Sequence, residues 1–202
     1  MKLKFFTTFA FSIITVLAVM SAKAQDNFSK KSAVGSIEGT SSLHDWKSEI
    51  TDIQCKGLFE VRNGILKSIK STEIKILVEG IKSTKGKTMN NKTYAAFRYK
   101  ENPYILFTFT SGDVKTVSDN IYTIETTGTL NMAGETKKVA FKTKVNVLPN
   151  GDLQISASEK IKMTDYKMKK PTAVFGTITV GDEVNVNFNL VLTPATPQAK
   201  SK

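Results

Sequence analysis

His44 is the only histidine of the chain, and Asp45 follows it directly. A histidine beside an aspartate suggests a general base oriented by a carboxylate, as in the Ser-His-Asp hydrolases. Neighbouring residues on an extended strand point to opposite faces, however, so these two side chains would not align for proton transfer. We therefore interpret His44-Asp45-Trp46 as a structural corner and predict no catalytic residue. An enzyme that uses His44 as its general base is the alternative.

Metal and cofactor chemistry finds little support in the sequence. The chain has one histidine and one cysteine, Cys55, and its carboxylates are not clustered, whereas a zinc site uses three or four such ligands. Gly176 and Gly181 lack the loop-to-helix context of a phosphate-binding loop. Cys55 cannot form an internal disulfide, and we interpret it as a small apolar core residue rather than a reactive thiol. The sequence predicts neither a metal nor a cofactor.

The N-terminus is typical of an exported protein. Lys2 and Lys4 precede an uncharged, mostly apolar run over 5–20, and Ala22-Lys23-Ala24 fits the small-residue pattern of a cleavage site. This arrangement predicts a signal peptide over 1–24. A membrane anchor is the alternative, but the run is shorter than the roughly 20 residues of a spanning helix. Cleavage near Ala24 would give a periplasmic or secreted protein.

The chain is basic, with a formal net charge of +11 at pH 7. Loss of residues 1–24 would remove three lysines and no acid, which leaves +8. Lysines alternate with apolar residues, as at Lys138, Lys142 and Lys144, a pattern typical of the outer faces of strands. We predict no nucleic-acid partner and a transient contact with an anionic membrane surface. The sequence does not indicate an oligomeric state.

Turn signals divide most of the chain into antiparallel strands. Asn63-Gly64, Ala133-Gly134-Glu135 and Asn150-Gly151 each separate two runs rich in apolar and β-branched residues, which is the pattern of β-hairpins. The run over 104–110 is apolar on both faces and needs cover on each. The run over 184–192 alternates almost perfectly, as a strand with one wet face does.

One helix interrupts the strands. Met89, Thr93 and Phe97 recur at helical spacing and predict a helix over 88–98. About eight strands, one helix and no βαβ rhythm predict an all-β fold, an extended antiparallel eight-stranded barrel with one covering helix. We expect the barrel over 32–193. A flexible N-terminus over 25–31 and a disordered tail over 194–202 would flank it.

Three segments carry a resemblance to a known family. They are Gly39–Trp46, Asn102–Phe109 and Gly128–Val139. In these segments, and in their order and spacing over 32–193, the chain resembles the YceI-like family of exported polyisoprenoid-binding proteins. The resemblance implies a lipocalin-like barrel whose pore holds a long isoprenoid chain. It also implies a non-enzymatic role in carrying or storing isoprenoid lipids or quinone precursors.

The resemblance turns the inward-facing apolar residues into candidate pore residues. From the strand pattern alone such side chains are more often plain core, and a filled barrel that serves as a structural or stress-response module is the alternative. A pore would recognise a long lipid through burial of its apolar chain. The candidate pore residues are Ile76, Val78, Ile105, Phe107, Phe109, Leu130, Val139, Phe141, Val186, Phe188 and Leu190.

Overall fold

The structure, a computed structural model, describes residues 26–195. The predicted signal peptide over 1–24 and residues 196–202 of the predicted tail lie outside the described residues. The elements in chain order are β1 (Asp26–Ser41), β2 (Trp46–Ile50), β3 (Ile53–Arg62), β4 (Ile65–Leu77), β5 (Ile81–Ser83), α1 (Lys87–Phe97), β6 (Tyr104–Ser118), β7 (Ile121–Met132), β8 (Glu135–Val147), β9 (Leu153–Lys162), β10 (Thr172–Ala173) and β11 (Ile178–Pro194). Short 3-10 helices lie at Val78–Gly80, Met163–Tyr166 and Val174–Gly176.

Eight of the strands close into an antiparallel barrel, which confirms the predicted fold class. The order around the barrel is β1, β3, β4, β6, β7, β8, β9 and β11, and β11 pairs again with β1. This closing ladder runs from Phe28 opposite Pro194 to Ser41 opposite Val180. Closure pairs the two outer edges of the sheet, which would otherwise be open to other chains.

The other three strands lie at one end of the barrel. β2 pairs with the second half of β1, and β5 pairs with β2. β10 forms a short hairpin with the first residues of β11. Helix α1 joins β5 to β6 at this same end.

Tight turns join the strands where the sequence predicted them. Asn63 and Gly64 have φ angles of 51° and 75°, and Ala133 and Gly134 have φ angles of 51° and 82°. Two consecutive positive φ angles characterise a type I′ turn, whose twist matches that of the flanking strands. The predicted turn at Asn150-Gly151 also joins two strands, β8 and β9.

The end of the barrel opposite α1 is filled with side chains, and we call it the packed floor. Phe28 and Phe59 are 3% and 1% exposed, and their rings meet edge to face with centroids 5.3 Å apart. The backbone N of Leu66 donates a hydrogen bond to Oη of Tyr122 at 3.2 Å. Other fully buried side chains of the floor are Ile124, Val145, Leu153 and Leu192.

Residues 26–31 belong to β1, so the predicted flexible N-terminus is corrected over these residues. Phe28 anchors the segment in the packed floor. Nζ of Lys31 lies 2.8 Å from Oδ2 of Asp152. The sequence concealed the strand because a single large apolar residue stands among polar ones. The barrel strands therefore run from Asp26 to Pro194, slightly beyond the expected limits of 32–193.

The predicted helix over 88–98 is observed as α1. Gly86, with a φ angle of 86°, precedes it, and Arg98 ends it in the left-handed conformation. The guanidinium of Arg98 donates a hydrogen bond to the carbonyl oxygen of Ala133, which fixes the end of the helix to the β7–β8 turn. Tyr94 and Phe97 are the buried side chains of the helix. The helix therefore covers one end of the barrel.

Candidate ligand-binding cavity

A large apolar cavity lies inside the barrel above the packed floor. Its volume is about 780 Å³, within the roughly 300–1,000 Å³ of small-molecule sites. Alternate residues of each strand point inward, so the apolar parity of the strands builds the wall. Phe107 and Phe141 pack against each other on this wall, with ring centroids 5.4 Å apart.

Ten of the eleven candidate pore residues lie on the wall of this cavity. They come from five strands, and each occupies the inward parity that the alternation indicated. Their contact with a ligand stays a prediction. The ten residues are Ile76, Ile105, Phe107, Phe109, Leu130, Val139, Phe141, Val186, Phe188 and Leu190.

Val78 is not on the wall, so the prediction of a pore role for it is corrected. The strand β4 ends at Leu77, and Val78 begins a 3-10 helix. Its backbone N donates to the carbonyl oxygen of Pro103 at 2.9 Å, and its side chain is completely buried. The inward parity of Ile76 does not extend to Val78 because strand alternation stops with the strand.

Sequence reasoning missed other wall residues, mainly on strands to which it assigned no inward face. Extending the inward parity from one strand to its hairpin partner could have found them, because facing residues of an antiparallel pair share a face. The missed residues include Ile37, Ile50, Cys55, Phe59, Thr126, Thr143, Ile155, Ala157, Glu159 and Ile161.

Few polar side chains interrupt the inner wall. Oγ1 of Thr126 donates to Oγ1 of Thr143 at 2.9 Å, so these two buried hydroxyls satisfy each other. Glu159 is half-buried and lies opposite Val186 on β11. Burial raises the pKa of the Glu159 carboxyl, and among the described residues this carboxyl has no cationic partner. Ser48, which is 2% exposed, and Thr72 also line the cavity. The wall is therefore mainly apolar, and Glu159 is the carboxylate on its inner face.

Cys55 is a buried residue of the wall, as the sequence predicted for a small apolar position. Its side chain is part of the core. Burial raises the pKa of the thiol to about 12. A thiol with such a pKa forms almost no thiolate at neutral pH and is a poor nucleophile.

The mouth of the cavity lies at the end opposite the packed floor. The turn over 41–45, helix α1 and the β10–β11 hairpin all contribute residues to it. Ser42 and Thr179 exchange two hydrogen bonds, of 2.9 and 3.1 Å, between the turn and the hairpin. Nζ of Lys92 on α1 donates to the carbonyl oxygen of Thr172 on β10. These bonds hold the three segments around one opening.

A lateral opening between β8 and β9 continues the mouth along the barrel wall. Residues 143–147 of β8 pair with residues 153–157 of β9, and beyond them the two strands separate. Both separated segments line the cavity. If the ladder continued, Lys138 would stand opposite Lys162, and facing like charges oppose strand pairing. We call this opening the β8–β9 slot.

Comparison with known proteins assigns the chain to a family. The family model described as the YceI-like domain matches residues 29–192. The chain belongs to the YceI-like family. The segments that carried the resemblance occupy defined places in this YceI-like domain: Gly39–Trp46 at the mouth, Asn102–Phe109 at the start of β6, and Gly128–Val139 in the β7–β8 hairpin.

Solved structures share the fold of this YceI-like domain. BcnA of Burkholderia cenocepacia is 20% identical, with a TM-score of 0.59 over 80% of this chain and 96% of BcnA. A polyisoprenoid-binding domain of Saccharophagus degradans, implicated in plant cell wall breakdown, is 10% identical, with a TM-score of 0.64 over 83% of this chain and 98% of that domain. The YceI protein of Campylobacter jejuni is 20% identical, with a TM-score of 0.53 over 74% of this chain and 84% of that protein. No curated protein matches the chain.

His44 lies at the mouth of the YceI-like domain in a hydrogen-bonded corner. Its Nδ1 is 2.7 Å from the backbone carbonyl oxygen of Asp45, so the contact is with the backbone and not with the carboxylate. Oγ of Ser41 donates to the carbonyl oxygen of His44 at 2.7 Å, and Nε1 of Trp46 donates to the carbonyl oxygen of Thr40 at 2.9 Å. This geometry fits the structural interpretation, because the Asp45 carboxylate does not orient the imidazole as the acid of a triad does.

Among residues 26–195, no three His, Cys, Asp or Glu side chains come together as metal ligands. Over the same residues, no helix combines the length and the apolar character that crossing a bilayer requires.

Proposed function

We propose that this YceI-like domain binds one long apolar lipid inside its barrel and carries or stores it without chemical change. The ligand class that we propose is a polyisoprenoid or an isoprenoid-quinone precursor. The observation that carries the proposal is the cavity of about 780 Å³, with an apolar wall, a packed floor and an open mouth. A cavity of this size argues against a filled barrel with a purely structural role.

The apolar wall provides the binding energy in this proposal. Each CH₂ group that leaves water contributes about 0.8 kcal/mol, so a long chain gains affinity without polar recognition. Selectivity would follow from the length and shape of the chain, because the inner wall offers few hydrogen-bonding groups. The Saccharophagus degradans structure, which has the same fold, is a polyisoprenoid-binding domain, and this supports the proposed ligand class.

Native mass spectrometry followed by organic extraction of the gently purified protein tests the proposal. We expect one long-chain lipid per chain and an isoprenoid in the extract. A protein that carries no lipid, and that takes up no isoprenoid alcohol after delipidation, would overturn the carrier function.

An enzyme acting on an apolar substrate is the second candidate, because His44 lies at the mouth of the cavity. If the protein is a carrier, His44→Ala should keep the fold and the lipid content of the wild type. A turnover of the bound lipid that depends on pH and disappears in His44→Ala would favour the enzyme.

We also propose that the chain acts outside the cytoplasm, in the periplasm or after secretion. The charged, apolar and small-residue pattern of 1–24 supports this location. N-terminal sequencing of the protein from cell fractions tests it. We expect the extracytoplasmic fraction to contain a chain that begins near Gln25, and a full-length cytoplasmic chain would contradict the proposal.

A further inference from the structure

Three exposed apolar side chains stand beside the mouth of the cavity. Phe175 is fully exposed, and Val174 and Leu43 are 62% and 65% exposed. Val174, Phe175 and Gly176 have φ angles of 48°, 51° and 91°. A left-handed backbone is unfavourable for a residue with a side chain, above all for a β-branched valine. This strained turn holds Phe175 away from the barrel, in water.

The three side chains belong to segments that the structure fixes around the mouth. Val174 and Phe175 form the tip of the β10–β11 hairpin, whose residues Ala173 and Ile178 face each other and line the cavity. Leu43 lies in the turn that is hydrogen-bonded to β11 through Ser42. The exposed apolar side chains therefore flank the opening through which a ligand would pass.

The same end of the barrel is cationic. Six lysines and three carboxylates line the mouth and the β8–β9 slot. One of the carboxylates, on Glu183, is already paired with Nζ of Lys160 at 2.9 Å. The lysines are Lys85, Lys92, Lys137, Lys138, Lys160 and Lys162.

We propose that the mouth of the cavity docks on an anionic lipid bilayer, with Phe175, Val174 and Leu43 inserted among the lipids and the surrounding lysines facing lipid phosphates. This inference rests on the proposed carrier function, and it adds the surface and the partner through which the ligand is exchanged.

A bilayer fits this surface better than a protein partner does. The exposed apolar side chains are few, stand on separate segments and are interspersed with lysines, an arrangement typical of shallow insertion at an anionic interface. A protein-binding patch would be contiguous and apolar at its centre. Docking at the mouth also gives an apolar chain a path from the bilayer to the cavity that avoids water.

Sedimentation with lipid vesicles tests the docking surface. Protein comprising residues 25–202 is mixed with vesicles of equal parts phosphatidylcholine and phosphatidylglycerol, and with vesicles of phosphatidylcholine alone. We expect binding to the anionic vesicles and weaker binding in high salt, because salt screens the lysines. Phe175→Ser should lower the affinity about tenfold. Lys85→Glu should lower it about fivefold or more.

Matched control variants lie at the opposite end of the barrel. Val117 is 63% exposed and Lys115 is exposed, and both precede the β6–β7 turn beside the packed floor. Val117→Ser likewise replaces an exposed apolar side chain with serine, and Lys115→Glu makes the same charge reversal as Lys85→Glu; both should leave vesicle binding unchanged. Equal effects of Phe175→Ser and Val117→Ser, or no binding to anionic vesicles, would overturn the proposal. Binding of the domain to a specific protein, together with no binding to vesicles, would also overturn the proposal.

Lipid uptake in the absence of vesicles separates this inference from the carrier function. Delipidated protein is given a dispersed isoprenoid alcohol, and the bound lipid is measured. Normal uptake without vesicle binding would overturn the docking surface alone. Vesicle binding without uptake would overturn the carrier function and the exchange role that rests on it.

Discussion

At the scale of single residues, Cys55 and Glu159 indicate that water is partly excluded from the cavity wall around them. Both side chains line the cavity, and burial nevertheless raises the pKa of each. Desolvation penalises the charged form of an acid, so both groups are held towards their neutral forms. A wall that suppresses ionisation in this way suits an apolar ligand.

Cys55 should react far more slowly with thiol reagents than an exposed cysteine does. A rise in pKa from 9.0 to about 12 lowers the thiolate fraction near neutral pH about a thousandfold. The measurement is the rate of modification of the folded protein, compared with Val117→Cys made in a Cys55→Ala background. Comparable rates for the two cysteines would contradict a dry wall at Cys55.

Glu159→Gln should stabilise the delipidated protein at neutral pH. The pKa of Glu159 is raised in the folded state, so ionisation opposes folding once the pH exceeds the ordinary value of 4.5. The advantage of the variant should therefore appear as the pH rises through this value and disappear below it. Thermal unfolding of both proteins across this pH range gives the measurement.

Glu125→Gln is the control for Glu159→Gln. Glu125 is exposed on the outer face of β7, with Oε1 3.8 Å from Nζ of Lys142. An exposed pair of this kind contributes little to stability, so this variant should show no such rise. Equal behaviour of the two variants would mean that Glu159 is solvated.

At the scale of elements, the hairpins and the helix could be predicted because their signals are local. Asn63-Gly64 and Ala133-Gly134 adopt the positive φ angles that their types favour, and α1 keeps the helical spacing of 88–98. The end of β4 before Val78 could not be predicted, because a 3-10 helix with its own contacts replaces the alternation there. The β8–β9 slot could not be predicted either, because it depends on the register between two strands and therefore on which lysines would face each other.

Lys138→Glu should narrow the β8–β9 slot and slow ligand exchange, because Lys138 faces the neutral Thr129 on its other side. The change would place opposite charges where Lys138 and Lys162 would meet if the ladder continued. Cross-strand pairs contribute roughly 0.2–1 kcal/mol, so we expect exchange about 1.5- to fivefold slower. The release rate of a fluorescent fatty acid in the absence of vesicles gives the measurement.

Lys144→Glu makes the same charge change within the paired part of the ladder, opposite Ser156. Exchange in this control should match the wild type. If both variants release the probe at the wild-type rate, the slot is not a route for the ligand.

At the scale of the whole molecule, the eight-stranded barrel followed from the number of hairpins and the absence of crossover helices. The expectation of a pore came from the family resemblance, since inward apolar side chains alone do not separate a hollow barrel from a filled one. Whether a barrel is filled depends on how side chains from distant strands meet, as Phe28 and Phe59 do at the packed floor. In this barrel the floor end is filled with side chains, whereas the mouth end is hollow.

Two phenylalanines should respond differently to truncation. Phe28→Ala should cost about 3–5 kcal/mol of the free energy of unfolding, because a packed aromatic leaves a new cavity. Phe188→Ala should cost less, because Phe188 is only half-buried and borders a cavity that already exists. Chemical denaturation of the delipidated proteins gives both values.

Lipid uptake by the same two variants completes the comparison. Uptake should fall in Phe188→Ala and persist in Phe28→Ala where that variant remains folded. A full core penalty at Phe188 together with unchanged uptake would remove Phe188 from the binding surface.

The packed floor closes one end of the cavity and so limits its depth. In the proposed carrier, an apolar chain that enters at the mouth would stop with its tail against the floor, and its head group would stay near the lysines. On β11 the wall extends from Val180 to Leu190, about 33 Å along a strand at the usual rise and roughly 25 Å of depth at the usual tilt. A shorter chain leaves empty space above the floor, and a longer one leaves part of itself outside. In the proposed carrier, the side chains of the floor would therefore set which chain lengths the barrel accepts, although none of them would need to touch a head group.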